Sequence, residues 1–309
     1  MERSTASSTD WLVVAAPGII WGASFLFIAE GLKSVGPNGV TFIRIFIGFM
    51  TLALFPAARR PIERSAWAGI ILLGVVWFAF PLSMFPFAEQ RVSSALTGML
   101  NAVTPLFVAI VAAIIARKLP SPWVMFGLLT GISGSVLIAL PSFHEGRSST
   151  LGVALILLAC ASYGFALNLA RPLQQKHGAL PVTWRALGIA TLATASRGLP
   201  EVAAAQWRAA PLLSLLTLGV AGTGIAFVLI GVAAGRVGAT RASAAAFLIP
   251  PVSLLLGVVV RGERVALLSI IGSAVCLAGA WMIRPRSAKT QQKPQREFAE
   301  YEPCAATRN

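Results

Sequence analysis

Apolar runs of roughly twenty residues, the length that crosses the hydrocarbon core of a bilayer, recur from one end of this chain to the other with short polar breaks between them. The windows are Trp11–Ala29, Gly39–Pro56, Ala66–Phe87, Ser93–Ala116 and Trp123–Leu140, then Leu151–Leu169, Val182–Leu199, Leu212–Val232, Ala242–Val260 and Ala266–Ile283. Of the 309 residues, 56% are hydrophobic and 12% charged, against roughly 25% charged in an average soluble domain. Backbone polar groups in lipid must be satisfied internally, so a spanning chain is either helical or a closed barrel. The alternating pattern of a barrel strand is missing. The expected fold is therefore an all-α integral membrane bundle of ten transmembrane helices, with antiparallel neighbours because the breaks are short.

The net charge of +14 does not mark a nucleic-acid face, since the basic residues lie one or two at a time between apolar runs instead of along one stripe. They read as orientation signals. With the N-terminus inside, Arg59, Arg60, Arg64, Arg117, Lys118, Arg171, Lys176, Arg236 and Arg241 fall in inner loops, joined by Arg3 and the tail. Lys33, Arg91, Arg147, Arg197, Arg208, Arg261 and Arg264 fall outside. The inner excess places both termini in the cytoplasm. Residues 1–10 read as a short polar N-terminus, and no cleavable leader is expected. Residues 284–309 form a basic, Pro-containing tail expected to be disordered, whose first half can touch anionic lipid. Cys160, Cys276 and Cys304 have neither disulfide nor metal-knuckle spacing, and no cofactor or metal is expected.

An offset of 145 pairs Arg91 with Arg236, Val92 with Val237, Pro105 with Pro250, Gly127 with Gly272 and Gly134 with Gly279. Earlier in the halves, Gly22 faces Gly164 and Arg44 faces Arg185 at slightly smaller offsets. Residues 11–140 and 151–283 thus read as repeats of five spans each. An odd number of spans makes the second repeat enter the membrane upside down, and inverted repeats are how many secondary transporters open to alternate sides.

Pro105 lies within the fourth span and Pro250 with Pro251 within the ninth, each removing a helical hydrogen bond. Paired interruptions mark a central site or serve as packing kinks, and both readings stay open. Thr97, Asn101 and Thr104 share one helical face, which contacts substrate or joins helices. Arg44 and Arg185 are near enough to span ends to snorkel, or to draw an anionic group into a pathway. Trp21, Trp77, Tyr163 and Trp184 are candidates to line an apolar cavity or to form an interfacial belt. The patterns Gly18–Gly22, Gly127–Gly131 and Gly231–Gly235 suit close helix packing. All acids fall in loops, termini or span ends, which disfavours a buried proton relay and leaves Glu30 and Glu89 as coupling candidates.

WGASFLF in the first span, Arg44 in the second, RVSSALTGMLNAVTPLF, GTGIAF, RVGATRASAAAFLIPPVSLLLG and IGSAVCLAGAWMI together resemble the drug/metabolite transporter superfamily, EamA type. The resemblance covers about residues 11–283. It implies two inverted five-helix repeats around a central cavity, in the bacterial cytoplasmic membrane, commonly exporting amino acids, metabolites or toxic compounds. Where the family often closes spans 4 and 9 with an acid, Glu263 fits and Lys118 does not. The expectation is a non-enzymatic secondary transporter of a small organic solute working by alternating access, with export the favoured direction. A channel or a non-transporting membrane protein is the alternative. Partners are the small-molecule substrate and membrane lipids, no nucleic acid, with homodimerisation open.

Overall fold

The computed structural model describes residues 8–144, 149–261 and 266–283. Glu263, Arg147, Arg264, Cys304 and the expected tail lie outside them. Among the described residues there are helices and short turns and no strands. The order is α1 (Ser8–Gly31), α2 (Pro37–Ala53), α3 (Trp67–Leu73), α4 (Phe80–Glu89), α5 (Ser94–Asn101), α6 (Thr104–Ala116) and α7 (Pro122–His144). Then come α8 (Thr150–His177), α9 (Ala179–Ala203), α10 (Ala209–Thr217), α11 (Ala226–Val237), α12 (Ala239–Ala242), α13 (Ile249–Arg261) and α14 (Leu267–Ile283). A π-helical segment, Gly74–Ala79, joins α3 to α4, another, Leu218–Ile225, joins α10 to α11, and the 3-10 segment Ser243–Leu248 joins α12 to α13.

Six continuous helical stretches among the described residues are long and apolar enough to cross a membrane, and shorter apolar helices accompany them. Their outward faces carry large exposed apolar side chains such as Leu12, Ile114, Ile115 and Val259, a surface that a water-soluble monomer does not present. This is a multi-pass membrane protein. The apolar windows read from the sequence fall on these helices to within a few residues, but Arg197, Arg236 and Arg241, expected in loops, stand on α9, α11 and α12. Arg171 and Lys176, expected in a loop, stand on α8, which runs on to His177 before Gly178 turns the chain into α9. Gly178 has φ +87° and Gly238, between α11 and α12, φ +90°, values that a residue without a Cβ adopts cheaply.

Loops alternate between the two ends of the bundle. At one end Arg185 donates to the carbonyl oxygens of Ala58 and Arg60, Lys176 reaches Glu63, and Lys118, Arg171 and Arg241 surround one open pocket. This is the basic end. At the other, Gln206 N–H donates to Ser34 O. There the Glu201 carboxylate accepts from Gly39 N–H at 2.7 Å and Asn38 Nδ2 at 2.6 Å, an acid closing the N-terminus of α2 where unpaired N–H groups and the helix dipole favour it. Ser93 caps α5 there in the usual way, accepting from Leu96 N–H.

The buried side chains form three clusters; one, with Ala109, Leu128, Phe247 and Ile283, joins α6, α7, the 3-10 segment and α14, and the other two lie toward opposite ends. Of these two, one holds Leu52, Ile70, Trp77, Val182 and Ala239, the other Val35, Phe85, Val92, Leu96 and Leu215. Trp21 and Tyr163 pack against both, so they mark the level between.

Close contacts between the two sequence halves come in exchanged pairs. A methyl on Gly74 would lie 2.8 Å from Ala186 O and 3.0 Å from Ile189 Cβ, and one on Gly219 would lie 3.3 Å from Arg44 O and 2.5 Å from Ile47 Cβ. Gly22 abuts Val252 while Gly164 abuts Phe107. In the α7–α14 pair, Gly127 faces Gly279 and Gly134 faces Gly272. Lipid gives helices no hydrophobic reason to associate, so backbones brought close at small residues supply the packing energy. Gly18 and Gly22 also close on the 3-10 segment and α13, and Gly231 closes on Gln174. Gly235 departs from the expected packing pattern: its nearest neighbour, Gln175 Cγ, is at an ordinary 3.8 Å.

Candidate functional site

A cavity of about 60 Å³ occupies the level between the two end clusters. Trp21, Ser24, Phe25 and Ile28 of α1 line it, and their spacing places them on one helical face. Arg44 from α2, Trp77 from the first π segment, Leu82 and Phe85 from α4, and Asn101 and Thr104 from α5 and α6 come from the same half. The other half supplies Tyr163, Leu167, Phe227, Ile230, Ser243 and Ala246. At roughly 15 Å³ per water, the space holds a few waters and is smaller than a ring-bearing solute.

Six aromatic rings, those of Trp21, Phe25, Trp77, Phe85, Tyr163 and Phe227, stand in the wall. Phe227 is the hub, with its centroid 5.1 Å from Trp21, 5.4 Å from Trp77 and 4.8 Å from Phe78. Phe85 stands edge-on to Phe25 at 5.6 Å and stacks on Tyr163 at 6.0 Å. Such pairs are each worth about 0.5–1.5 kcal/mol beyond their burial, so the wall is held in shape by its own contacts.

The polar groups are few and fixed. Arg44 Nε donates to Thr223 Oγ1 at 3.1 Å, and Thr223 donates in turn to Leu218 O at 3.1 Å. Trp21 Nε1 donates to Gly222 O at 2.9 Å. Both Thr223 and Gly222 belong to the π segment Leu218–Ile225, whose wider turn re-aims these groups toward α1 and α2; such bulges recur at functional sites. Gly219, Gly222 and Gly224 let that segment lie against its neighbours. In the other half the carbonyl of Val76, within the segment Gly74–Ala79, accepts from Ser162 Oγ at 2.6 Å.

Helix breaks open the remaining wall. After Asn101 the chain makes tight i to i+3 turns, Ala102 N–H to Met99 O and Val103 N–H to Leu100 O. Pro105 then sits in the first turn of α6, where its missing N–H costs nothing. Pro250 likewise stands at the start of α13, directly after the 3-10 segment. Asn101 Oδ1 accepts from Thr104 Oγ1 at 3.1 Å and from the Cys160 thiol at 3.6 Å.

Six residues singled out in the sequence meet at this cavity: Trp21, Arg44, Trp77, Asn101, Thr104 and Tyr163. Pro105 and Pro250 do not line it; they are buried behind it and set the breaks that present Asn101, Thr104, Ser243 and Ala246. Arg185 is elsewhere. It sits at the basic end, 5.3 Å from the Trp184 ring and bonded to backbone carbonyls, while Trp184 stacks on Phe49. Nor does Arg44 snorkel: it is 3% exposed and points inward. Ser24, Thr223, Ser243, Phe85 and Phe227 were missed, because a lone hydroxyl or ring in an apolar run carries no sign of the face it occupies. Of the two acids singled out, Glu30 pairs with Lys33 at 2.6 Å. Both carboxylate oxygens of Glu89 are buried at the end of α4. No cluster of His, Cys, Asp and Glu suited to a metal occurs among the described residues.

A model of the EamA-like transporter family matches the chain twice, over residues 10–140 and 150–284. A probable terminal-alkyne amino-acid exporter of Streptantibioticus cattleyicolor is 26% identical, covering 91% of this chain and 95% of that one. The uncharacterized transporter YoaV of Bacillus subtilis is 24% identical over 85% of this chain and 92% of its own length. One solved crystal structure superposes with a TM-score of 0.69 at 19% identity, over 90% of this chain and 96% of the other, so the two share a fold.

Proposed function

Because the chain belongs to the EamA-like transporter family, we propose that it is a secondary carrier that moves a small organic metabolite or drug-like solute across the cytoplasmic membrane of a bacterium. In this reading ten helices cross the membrane as two inverted repeats, the basic end faces the cytoplasm with both termini, and the cavity opens to each side in turn. The observation that carries it is the exchanged pairing of contacts around a shared cavity. Gly74 on α9 and Gly219 on α2, or Gly22 on Val252 and Gly164 on Phe107, are the contacts expected of two similar halves that can trade conformations. The small cavity volume suits an occluded stage between the two openings. A relative named as an amino-acid exporter supports export as the direction.

The test begins with mass spectrometry of medium and cells from a host expressing the protein, compared with a host expressing Asn101→Ala at equal membrane abundance. A metabolite that accumulates outside only with the intact chain is then labelled and followed in proteoliposomes. Saturable counterflow is the expected result. Flux that rises linearly with concentration and lacks counterflow would reject the carrier mechanism.

A further inference from the structure

Arg44 is 3% exposed and forms no ion pair with any described residue. A guanidinium carries five N–H donors, and the only hydrogen bond Arg44 makes with the described residues is from Nε to Thr223. Thr223 is itself tied to Leu218 O and packed against Gly48, so the head group is aimed while its terminal nitrogens remain available at the cavity wall. Glu89 is the carboxylate whose charge reaches Arg44, and no acid is among the residues that line the cavity. A buried cation of this kind calls for an anionic partner.

We infer that Arg44 is the anchor for a carboxylate on the transported solute, and that the solute is a monoanion with an apolar or ring-bearing body. The planar fork of arginine matches a carboxylate with two parallel hydrogen bonds. Arg44 is the one cation among the residues that line the cavity, so a second negative charge on the solute would meet no positive group there. The remaining wall, built on Trp21, Trp77, Phe85, Tyr163 and Phe227, offers apolar and aromatic surface to such a body once the cavity widens beyond its present volume of about 60 Å³ as it opens. Arg44 comes from the first half and Thr223 from the second, so a carboxylate docked on the guanidinium acts on a bond that joins the halves. This assignment rests on the carrier reading and adds the chemical class of its solute.

The experiment uses the full chain in nanodiscs and a panel of benzoate, phenylacetate, 3-phenylpropionate and hexanoate, each beside its primary amide. Binding is read from tryptophan fluorescence and from ligand-dependent thermal stabilisation. At least one acid should bind roughly tenfold or more tighter than its amide, the scale of a charged hydrogen bond. Arg44→Gln should abolish that preference and Arg44→Lys should retain part of it. Thr223→Val, which frees the guanidinium without removing it, should weaken the acid and leave the amide unchanged. Equal binding of acids and amides by the intact protein, or no binding of any acid, overturns the anchor without recourse to a variant. So does an unaltered preference in folded Arg44→Gln. Acid-selective binding with no counterflow would instead sink the carrier reading and leave the anchor standing, whereas counterflow of a neutral solute unaffected by Arg44→Gln would do the reverse.

Discussion

Arg44 and Arg185 occupy similar positions in their halves, yet one is buried at the cavity and the other binds backbone carbonyls at the basic end. Their spacing from the span ends is alike, so the difference comes from what lies opposite: a threonine in a π segment for Arg44, the turn at Ala58–Arg60 for Arg185. Trp21 offers a cleaner test of the wall. Trp21→Phe keeps an aromatic ring but removes the Nε1–H bond to Gly222 O and the pyrrole part of the indole, and should cost about 1–3 kcal/mol. The heating midpoint of the monodisperse fraction in gel filtration should fall while the fold is retained. At the basic end, the hydrogen bond from Lys176 is the main cause of a Glu63 pKa below its ordinary 4.5. A carboxylate whose folded pKa is lowered adds stability above the unfolded value and loses it as pH falls through the folded one. The small difference in thermal midpoint between the protein and Glu63→Gln should therefore be present at pH 6 and shrink progressively below pH 4.5. A difference that grows toward acid would contradict the pairing.

Among the elements, the α7–α14 pair is held by backbone proximity. A side chain at Gly134 would meet Cys276 N at 2.5 Å and Gly272 O at 2.6 Å, and backbone atoms cannot yield as a flexible side chain can. Gly134→Ile should destabilise by about 1–3 kcal/mol and lower the folded yield sharply. Gly235→Ala, in α11 with its nearest atom at 3.8 Å, should be neutral or gain up to about 1 kcal/mol from helix propensity. Equal yields for the two would refute the packing account. The sequence carried Gly127–Gly131 and Gly231–Gly235 alike. It could not say that Gly127, Gly131 and Gly231 press on their neighbours while Gly235 has room, since small residues permit an approach without compelling it. The π segments were silent for a related reason: a wider turn inside an apolar helix leaves no compositional mark.

At the scale of the whole molecule, the basic end is predicted to face the cytoplasm. Single cysteines at Arg60→Cys and Lys33→Cys, with Cys160 and Cys276 buried and Cys304 replaced, give a direct reading. An impermeant maleimide should label the Lys33 position from outside intact cells and the Arg60 position only in inverted vesicles; the opposite pattern would reverse the topology. Much of this architecture was legible beforehand. Apolar length, basic loops and the offset of 145 between Pro105 and Pro250 act locally or along the chain, so they determined by themselves an all-helical membrane protein with a doubled sequence pattern. The tertiary structure alone decided which side chains share the cavity. Asn101 and Thr104 reach it through a break set by Pro105, Phe227 becomes the hub of rings contributed by several helices, and Arg44 turns inward because Thr223, far away in sequence, waits there. Periodicity states which residues share a face of one helix; only the packing of helices against one another states what that face meets.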